Sequence, residues 1–349
     1  MNIKKDRAMG AIMGGLIGDA LGIGPHWYYD FDKMKEDYGE WIDVYTEPKP
    51  ARFHAGLQAG ENSQTGQVVI MLMESIFDKG IYIEDDFSAR LDSLLNTLDG
   101  TKKGGRYTDI AMRDVWKARK IDRLDWSKAG SYAPTAEAAI RTPVLAARFY
   151  EDINLLVESL KSNVFLTHRD PFIASQSVSF GLITATLIDG CNLVDAPKEI
   201  NKKASSRNIP MTIDVFDSNV KKSVSFMDTL LQPSYTYAAV KDSEVGIESP
   251  KDLCRLFGLS CPLGFMLPAA YYFVSHFEND FYNAVMSALN GGGSNMARAA
   301  LTGALSGAQA GLSNIPDYLL EDYTITNDFW KWPIKYAPVM GNVNITIIW

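Results

Sequence analysis

Two stretches of this chain place a glycine at every fourth position, and nothing else in the sequence limits its fold as strongly. In "AMGAIMGGLIGDALGIG", Gly10, Gly14, Gly18 and Gly22 recur beside Met9, Met13, Ile17 and Leu21. In "GGGSNMARAALTGALSGAQAGLSNIP", Gly303, Gly307 and Gly311 repeat the device. Residues four apart share one face of a helix, so each stretch predicts a helix with a flat glycine stripe beside an apolar one. Each interior glycine costs about 1 kcal/mol of helix propensity, and close approach of another backbone has to offset that cost. The two helices, from opposite ends of the chain, are expected to pack on each other at its centre.

Helical spacing dominates the rest. "QTGQVVIMLMESIFDKG" puts Val69, Leu72, Met73 and Ile76 on one face, stops at Gly80, and has Ser63 or Thr65 as cap. "DDFSARLDSLLNTLDG" reads as a helix ending at Gly100, and "TAEAAIRTPVLAARFYED" as a helix that Pro143 bends or restarts. Asp170 with Pro171 opens another, and Ser294 or Asn295 caps the late glycine helix, which ends at Gly311 and Pro316. Strand signals are few; the tail "APVMGNVNITIIW" alternates weakly and reads as extended. One mostly helical domain is the simplest organisation.

A chain of 349 residues that is 46% hydrophobic and 22% charged can bury a large core. Its net charge of −8 argues against general nucleic-acid binding. Cys191, Cys254 and Cys261 form no C-x-x-C pair, which disfavours a zinc site or a disulfide scaffold. Asp19 interrupts the apolar N-terminal run, so that run reads as a buried helix, not a signal peptide. No stretch reads as a membrane span. The expectation is a reduced, soluble, cytoplasmic protein without nucleic-acid or membrane partners.

Four polar clusters could carry chemistry. "GDALGIGPHWYYD" holds Asp19 and then His26, Trp27, Tyr28 and Tyr29, either an aromatic plug or a stacking wall for a planar ligand. "HAGLQAGENSQTGQ" is a polar loop before a helix, with His54, Glu61, Asn62, Ser63, Gln64 and Thr65. "THRDP" offers His168, while its Asp170 reads as a helix cap. The last is the turn at Gly292, Gly293, Ser294 and Asn295, a helix N-terminus suited to an anion or metal but without a carboxylate.

In this order, these clusters resemble the ADP-ribosylglycohydrolase family. They are a "GDALG" at the end of a glycine-faced helix, a polar turn opening the next core helix, a central "TH-x-x-P", and a late "GG" turn. The similarity extends to the branch that includes the jellyfish J1 crystallins. It covers most of the chain, 1–349 as one domain, with residues 201–250 and the tail 325–349 less well matched. The resemblance implies an all-α domain of orthogonally packed helices. It also implies a cleft for ADP-ribose-like ligands beside two magnesium ions.

The metal turns of that family usually read TDDT and DTDT. Here they read "SQTG" (Ser63 to Gly66) and "GSNM" (Gly293 to Met296). Two Mg²⁺ ions about 4 Å apart repel by about 4 kcal/mol even in water, and carboxylates normally offset that repulsion. The remaining neutral oxygens predict no tight dinuclear site, and no other cofactor is expected. Two functions follow. One is hydrolysis of an N-glycosidic bond to ribose, in an ADP-ribosyl or nucleoside-type substrate, without the usual metal pair. It would use Glu61 as the catalytic carboxylate, Asp19 and Glu137 as weaker candidates, and His54 or His168 for proton transfer. The other is a non-catalytic descendant that binds a ligand or serves a structural, crystallin-like role. Asp19, His26, Trp27, Tyr28, His54, Asn62, Ser63, Gln64, Thr65, His168, Gly292, Gly293, Ser294 and Asn295 are the expected ligand-binding residues.

Overall fold

The computed structural model describes residues 2–102, 106–217 and 220–324, so the expected extended tail lies outside the described residues. The helices run in order α1 (Ile3–Gly22), α2 (Phe31–Tyr38), α3 (Gln64–Lys79), α4 (Glu84–Leu95), α5 (Ile110–Trp116), α6 (Trp126–Ala129), α7 (Glu137–Phe149) and α8 (Ile153–Thr167). They continue with α9 (Pro171–Ile188), α10 (Ala196–Ser206), α11 (Met227–Lys241), α12 (Pro250–Phe257), α13 (Leu263–Phe277), α14 (Phe281–Asn290), α15 (Asn295–Ala310) and α16 (Asp317–Glu321). Between α10 and α11 an antiparallel hairpin, β1 (Thr212–Asp217) with β2 (Val220–Ser225), pairs Thr212 with Ser225 and Asp214 with Ser223. The fold is all-α with this one small sheet among the described residues.

The glycine stripes meet as the sequence requires. Gly10 lies against Gly307, Gly14 against Gly303, Gly18 against Ala299 and Gly22 against Met296. Each step of four along α1 is a step of four back along α15, so the two helices are antiparallel and in near backbone contact. A Cβ at Gly10, Gly14 or Gly18 would collide with a carbonyl group of the partner helix. This pairing brings the C-terminal end of α1 beside the N-terminal end of α15. The turns that follow one and precede the other are thereby held together.

Local chemistry accounts for the other helices that frame the site. Ser63 caps α3, its Oγ accepting from the backbone N–H groups of Thr65 and Gly66, and Gly80 ends the helix in the left-handed region. Asp170 caps α9 through Phe172 and Ile173, with Pro171 at the first helical position. Ser294 occupies the cap position of α15 without a side-chain cap bond.

Four expectations change. Pro143 does not restart its helix: α7 runs through it, and Thr142 Oγ1 donates to Ala139 O at 2.8 Å, satisfying the carbonyl that the proline ring leaves without an N–H. α4 ends at Leu95, before Gly100. The β1–β2 hairpin lies in the 201–250 stretch, where no strand was expected. And α9 is long and apolar enough to cross a membrane, with a mean hydropathy of 1.4, but 89% of that window is buried inside the fold, as in a central core helix.

Candidate functional site

The site forms where the α1–Phe31 connection, the loop before α3, the start of α5, the start of α7 and the turn before α15 meet. Trp27 N–H donates to Gly293 O at 2.8 Å and Gly293 N–H donates to Tyr28 O at 2.6 Å, a two-bond bridge between the first and last polar turns. Gly292 and Gly293 have φ of +66° and +61°, a conformation open to glycine at little cost. Trp27 has φ +62°, a strained value for a bulky residue. Arg52 holds that strained turn by donating to His26 O (3.0 Å) and Trp27 O (2.7 Å) while its guanidinium covers the Tyr28 ring.

Asp19 builds the second wall. Its fully buried carboxylate accepts from Ser63 Oγ (2.6 Å), Ser63 N–H (2.9 Å) and Asn62 Nδ2 (2.9 Å), fixing the start of α3. Burial raises its pKa against the opposing effect of those hydrogen bonds. Asp19 therefore shapes the turn and does not face the cavity.

Between the walls lies a narrow cavity in two joined parts. The outer part is lined by His26, Trp27, His54, Ser63, Gln64, Thr65 and Ser294, all expected from the sequence, and by Tyr107, Asp109, Glu137 and Cys261. The inner part adds Arg141, Thr167 and His168 and shares Gln64, Thr65, Asp109 and Glu137. Trp27 stacks on His26 with ring centroids 3.9 Å apart and meets Phe53 and Tyr107 edge-on at 4.8 Å each. Its indole N–H donates to Cys261 Sγ at 3.2 Å. This aromatic cluster leaves about 30 Å³ of space in the outer part, room for about one water.

The buried polar groups are arranged for proton handling. Asp109 caps α5 by accepting from Met112 N–H at 2.8 Å. Enclosure by surrounding atoms and then the charge of Glu137 push its pKa up to about 8, so it is protonated at neutral pH. Glu137 is the opposite case: burial raises its pKa, but His168 and Thr135 outweigh that and hold it below the ordinary glutamate range. Thr167 Oγ1 accepts from Arg141 Nη2 at 2.8 Å and lies 2.9 Å from His168 Nδ1. His168 Nε2 lies 3.2 Å from Thr135 Oγ1 and 3.3 Å from Glu137 Oε2. Arg141, held by Asn163 at 2.6 and 2.7 Å, supplies a buried positive charge to this end, its pKa lowered by burial to about 10.

His26 Nδ1 and His54 Nε2 lie 2.7 Å apart, and burial lowers both pKa values, that of His54 to about 4. Both imidazoles are neutral at pH 7. Four residues that line the cavity each keep a buried polar atom without a hydrogen-bond partner: His26 Nε2, His54 Nδ1, Gln64 Oε1 and Glu137 Oε2. Such atoms are costly unless a ligand or water meets them.

Seven expected residues lie outside the cavity lining. Glu61 accepts from Gln58 N–H (2.7 Å) and pairs with Arg106 (2.8 Å); burial raises its pKa, but these contacts outweigh that and lower it. Asn62 and Asp19 support the turn, Tyr28 donates to Asp37 (2.7 Å), and Gly292 and Gly293 form backbone. Asn295 is fully buried, donates to Leu289 O (3.0 Å) and keeps Oδ1 unpartnered. Asp109, Tyr107, Arg141 and Cys261 were not singled out from the sequence. Asp109 stands just before the run that becomes α5, a cap position that the sequence reading passed over, and nothing local signals its cavity face. Gln64, Thr65 and Ser294 bring only neutral oxygens to the two turns. Among the described residues no three His, Cys, Asp or Glu side chains converge on a point a metal ion could occupy.

A family model for ADP-ribosylglycohydrolases matches residues 1–333. An uncharacterized protein of Archaeoglobus fulgidus is 23% identical over 318 residues, covering 91% of each chain. A solved structure described as an ADP-ribosylglycohydrolase-related protein complex aligns with a TM-score of 0.62 and 16% identity. It covers 97% of this chain and 98% of that one, a likeness of fold.

Proposed function

The chain belongs to the ADP-ribosylglycohydrolase family, and we propose that it hydrolyses an N-glycosidic bond to ribose with Asp109 and Glu137 as its two catalytic carboxylates. The observation that carries this reading is geometric: Asp109 and Glu137 line the same narrow cavity beside His168 and several unpartnered polar atoms, and their pKa values, displaced in opposite directions by their surroundings, support a division of labour. Cleavage of a ribosyl C1′–N bond passes through an oxocarbenium-like state, which needs a proton for the leaving nitrogen and a base for water. Asp109 gives its proton to the nitrogen as the C1′–N bond breaks. Glu137 takes a proton from the water whose oxygen bonds to C1′, and exchange with solvent restores both groups. His168 and Thr135 hold the Glu137 pKa low, and Arg141 brings a positive charge to the same end of the cavity. Glu61, the first choice from sequence, is engaged by Arg106 outside the cavity.

The magnesium pair that the family resemblance implies does not fit the donor set here. Gln64, Thr65 and Ser294 offer the cavity only amide and hydroxyl oxygens, which suit ribose hydroxyls better than two divalent cations. No step of the proposed reaction runs through a metal.

A second reading, a non-catalytic binder or structural descendant, is favoured by the aromatic cluster that fills the outer cavity. In the enzymatic reading Trp27 swings out to admit ribose. Glu137→Gln and Asp109→Asn separate the two. If the protein is a hydrolase, each lowers turnover of an ADP-ribosylated arginine, or of a nucleoside, by about 10²-fold or more. If it is a binder, no riboside turns over and these changes affect affinity alone.

A further inference from the structure

A second recess lies on the opposite side of the backbone that carries His168. Ser131 N–H donates to Thr167 O at 2.8 Å and Arg169 N–H donates to Ser131 O at 2.7 Å, a short parallel bridge. His168 faces the cavity already described, whereas Arg169 and Tyr132 face an open groove of about 450 Å³. One face of α8 (Lys161, Ser162, Phe165, Leu166) forms its floor, α6 with Trp126 forms one wall, and the base of the β1–β2 hairpin forms the other. That volume falls within the range of small-ligand pockets, and the outer cavity's does not.

Its chemistry is specific. Tyr132 is 67% exposed, a large ring left in solvent at the rim. Arg169 is seated: Gly130 leaves space for its stem, which a Cβ there would strike, and its guanidinium lies 6.0 Å from the centre of the Phe165 ring. Among the described residues, no carboxylate lies within ion-pair distance of that guanidinium and no acceptor takes a hydrogen bond from it. Its pKa is lowered by burial, against a smaller opposing effect of the Tyr132 hydroxyl. Lys161 is similarly lowered and donates only to Pro210 O, at 3.3 Å. The acids at the groove, Glu84 and Asp214, accept from Ser162 and Ser223 respectively.

We propose that this groove binds a planar aromatic ligand carrying a phosphate or a carboxylate, with Arg169 holding the anion and Tyr132 stacking on the ring. An uncompensated guanidinium is suited to bidentate recognition of an oxyanion, and exposed aromatic faces suit a planar ring. Asp214 acts on Lys161, which leaves Arg169 as the cation for the anion. The proposal does not depend on the reaction assigned to the cavity.

Calorimetric titration of the full chain with phenyl phosphate and with benzoate tests it, and inorganic phosphate and phenol report each half alone. The expected result is saturable binding of at least one of the two at about 1 mM or below, as the size of such ligands allows, and tighter than either half. Arg169→Met should weaken it about tenfold or more, Arg169→Lys by less, and Tyr132→Ala severalfold, each with an unchanged melting temperature. Glu137→Gln should leave it unchanged. Saturation by phenyl phosphate alone assigns phosphate, and by benzoate alone carboxylate. The proposal is overturned if neither ligand saturates, if Arg169→Met binds as wild type does, or if Glu137→Gln removes binding and Arg169→Met does not.

Discussion

Asp109 has the clearest consequence for pH. Its folded pKa of about 8 stands above the ordinary aspartate value of about 4. Between these values the folded chain keeps a proton that the unfolded chain releases. The stability associated with this proton is therefore full below about pH 4 and is lost as pH rises through about 8. Thermal melts of Asp109→Asn between pH 5 and pH 9, read against wild type, should show a flatter alkaline limb and a higher relative melting temperature at pH 8. A parallel shift at all pH values would contradict the assignment. Activity should carry the same mark, falling above about pH 8 as Asp109 loses its proton, with its acid limb below the ordinary glutamate range because Glu137 is held low. Trp27 tests access at the same scale. Trp27→Ala removes the ring that stacks on His26. It should lower KM or raise the binding rate of a riboside, whereas loss of binding would make Trp27 a ligand platform. His26, Trp27 and His54 were legible as a cluster because aromatic and imidazole side chains gather in two short motifs. Asp109 and Arg141 were not, because neither lies in such a motif and their enclosure depends on how α5, α7 and α8 pack.

At the scale of elements, the glycine stripe makes a prediction that distinguishes neighbours in sequence. A Cβ at Gly14 would collide with the Gly303 carbonyl, while one at Gly15 would sit 3.5 Å from Ala304 Cβ, an ordinary contact. Gly14→Ala should therefore cost about 3 kcal/mol, the upper end of overpacking penalties. Gly15→Ala should gain about 0.5–1 kcal/mol from helix propensity. Urea unfolding of both variants checks this, and equal effects would mean that α1 and α15 are not in backbone contact. The stripe could be read from sequence because its period is the helix period. The course of α7 through Pro143 could not, since it depends on a side-chain hydroxyl reaching a carbonyl. The hairpin was missed because "TIDVFDSNVKKSVS" lies amid helical sequence and its strands are only 6 residues each.

For the molecule as a whole, the antiparallel pairing of the first glycine helix with the last joins distant polar turns into one site. The fold was legible because that pairing is written in glycine spacing. The division of labour among the carboxylates was not, because it depends on which ones the packed helices enclose. A specific ion that binds only the folded state raises its stability, so magnesium at low millimolar concentration should leave the melting temperature unchanged beyond the effect of matched sodium. A saturable upward shift would instead show a metal site. The most direct measurement of the central claim is release of free ADP-ribose from ADP-ribosylated arginine, with release of ribose from nucleosides in parallel. It compares wild type and Glu137→Gln, each with excess chelator and with magnesium. The account predicts turnover of one of these substrates by wild type in chelator, and a loss of about 10²-fold or more in Glu137→Gln. Turnover that appears only with magnesium, or that survives intact in Glu137→Gln, would contradict it.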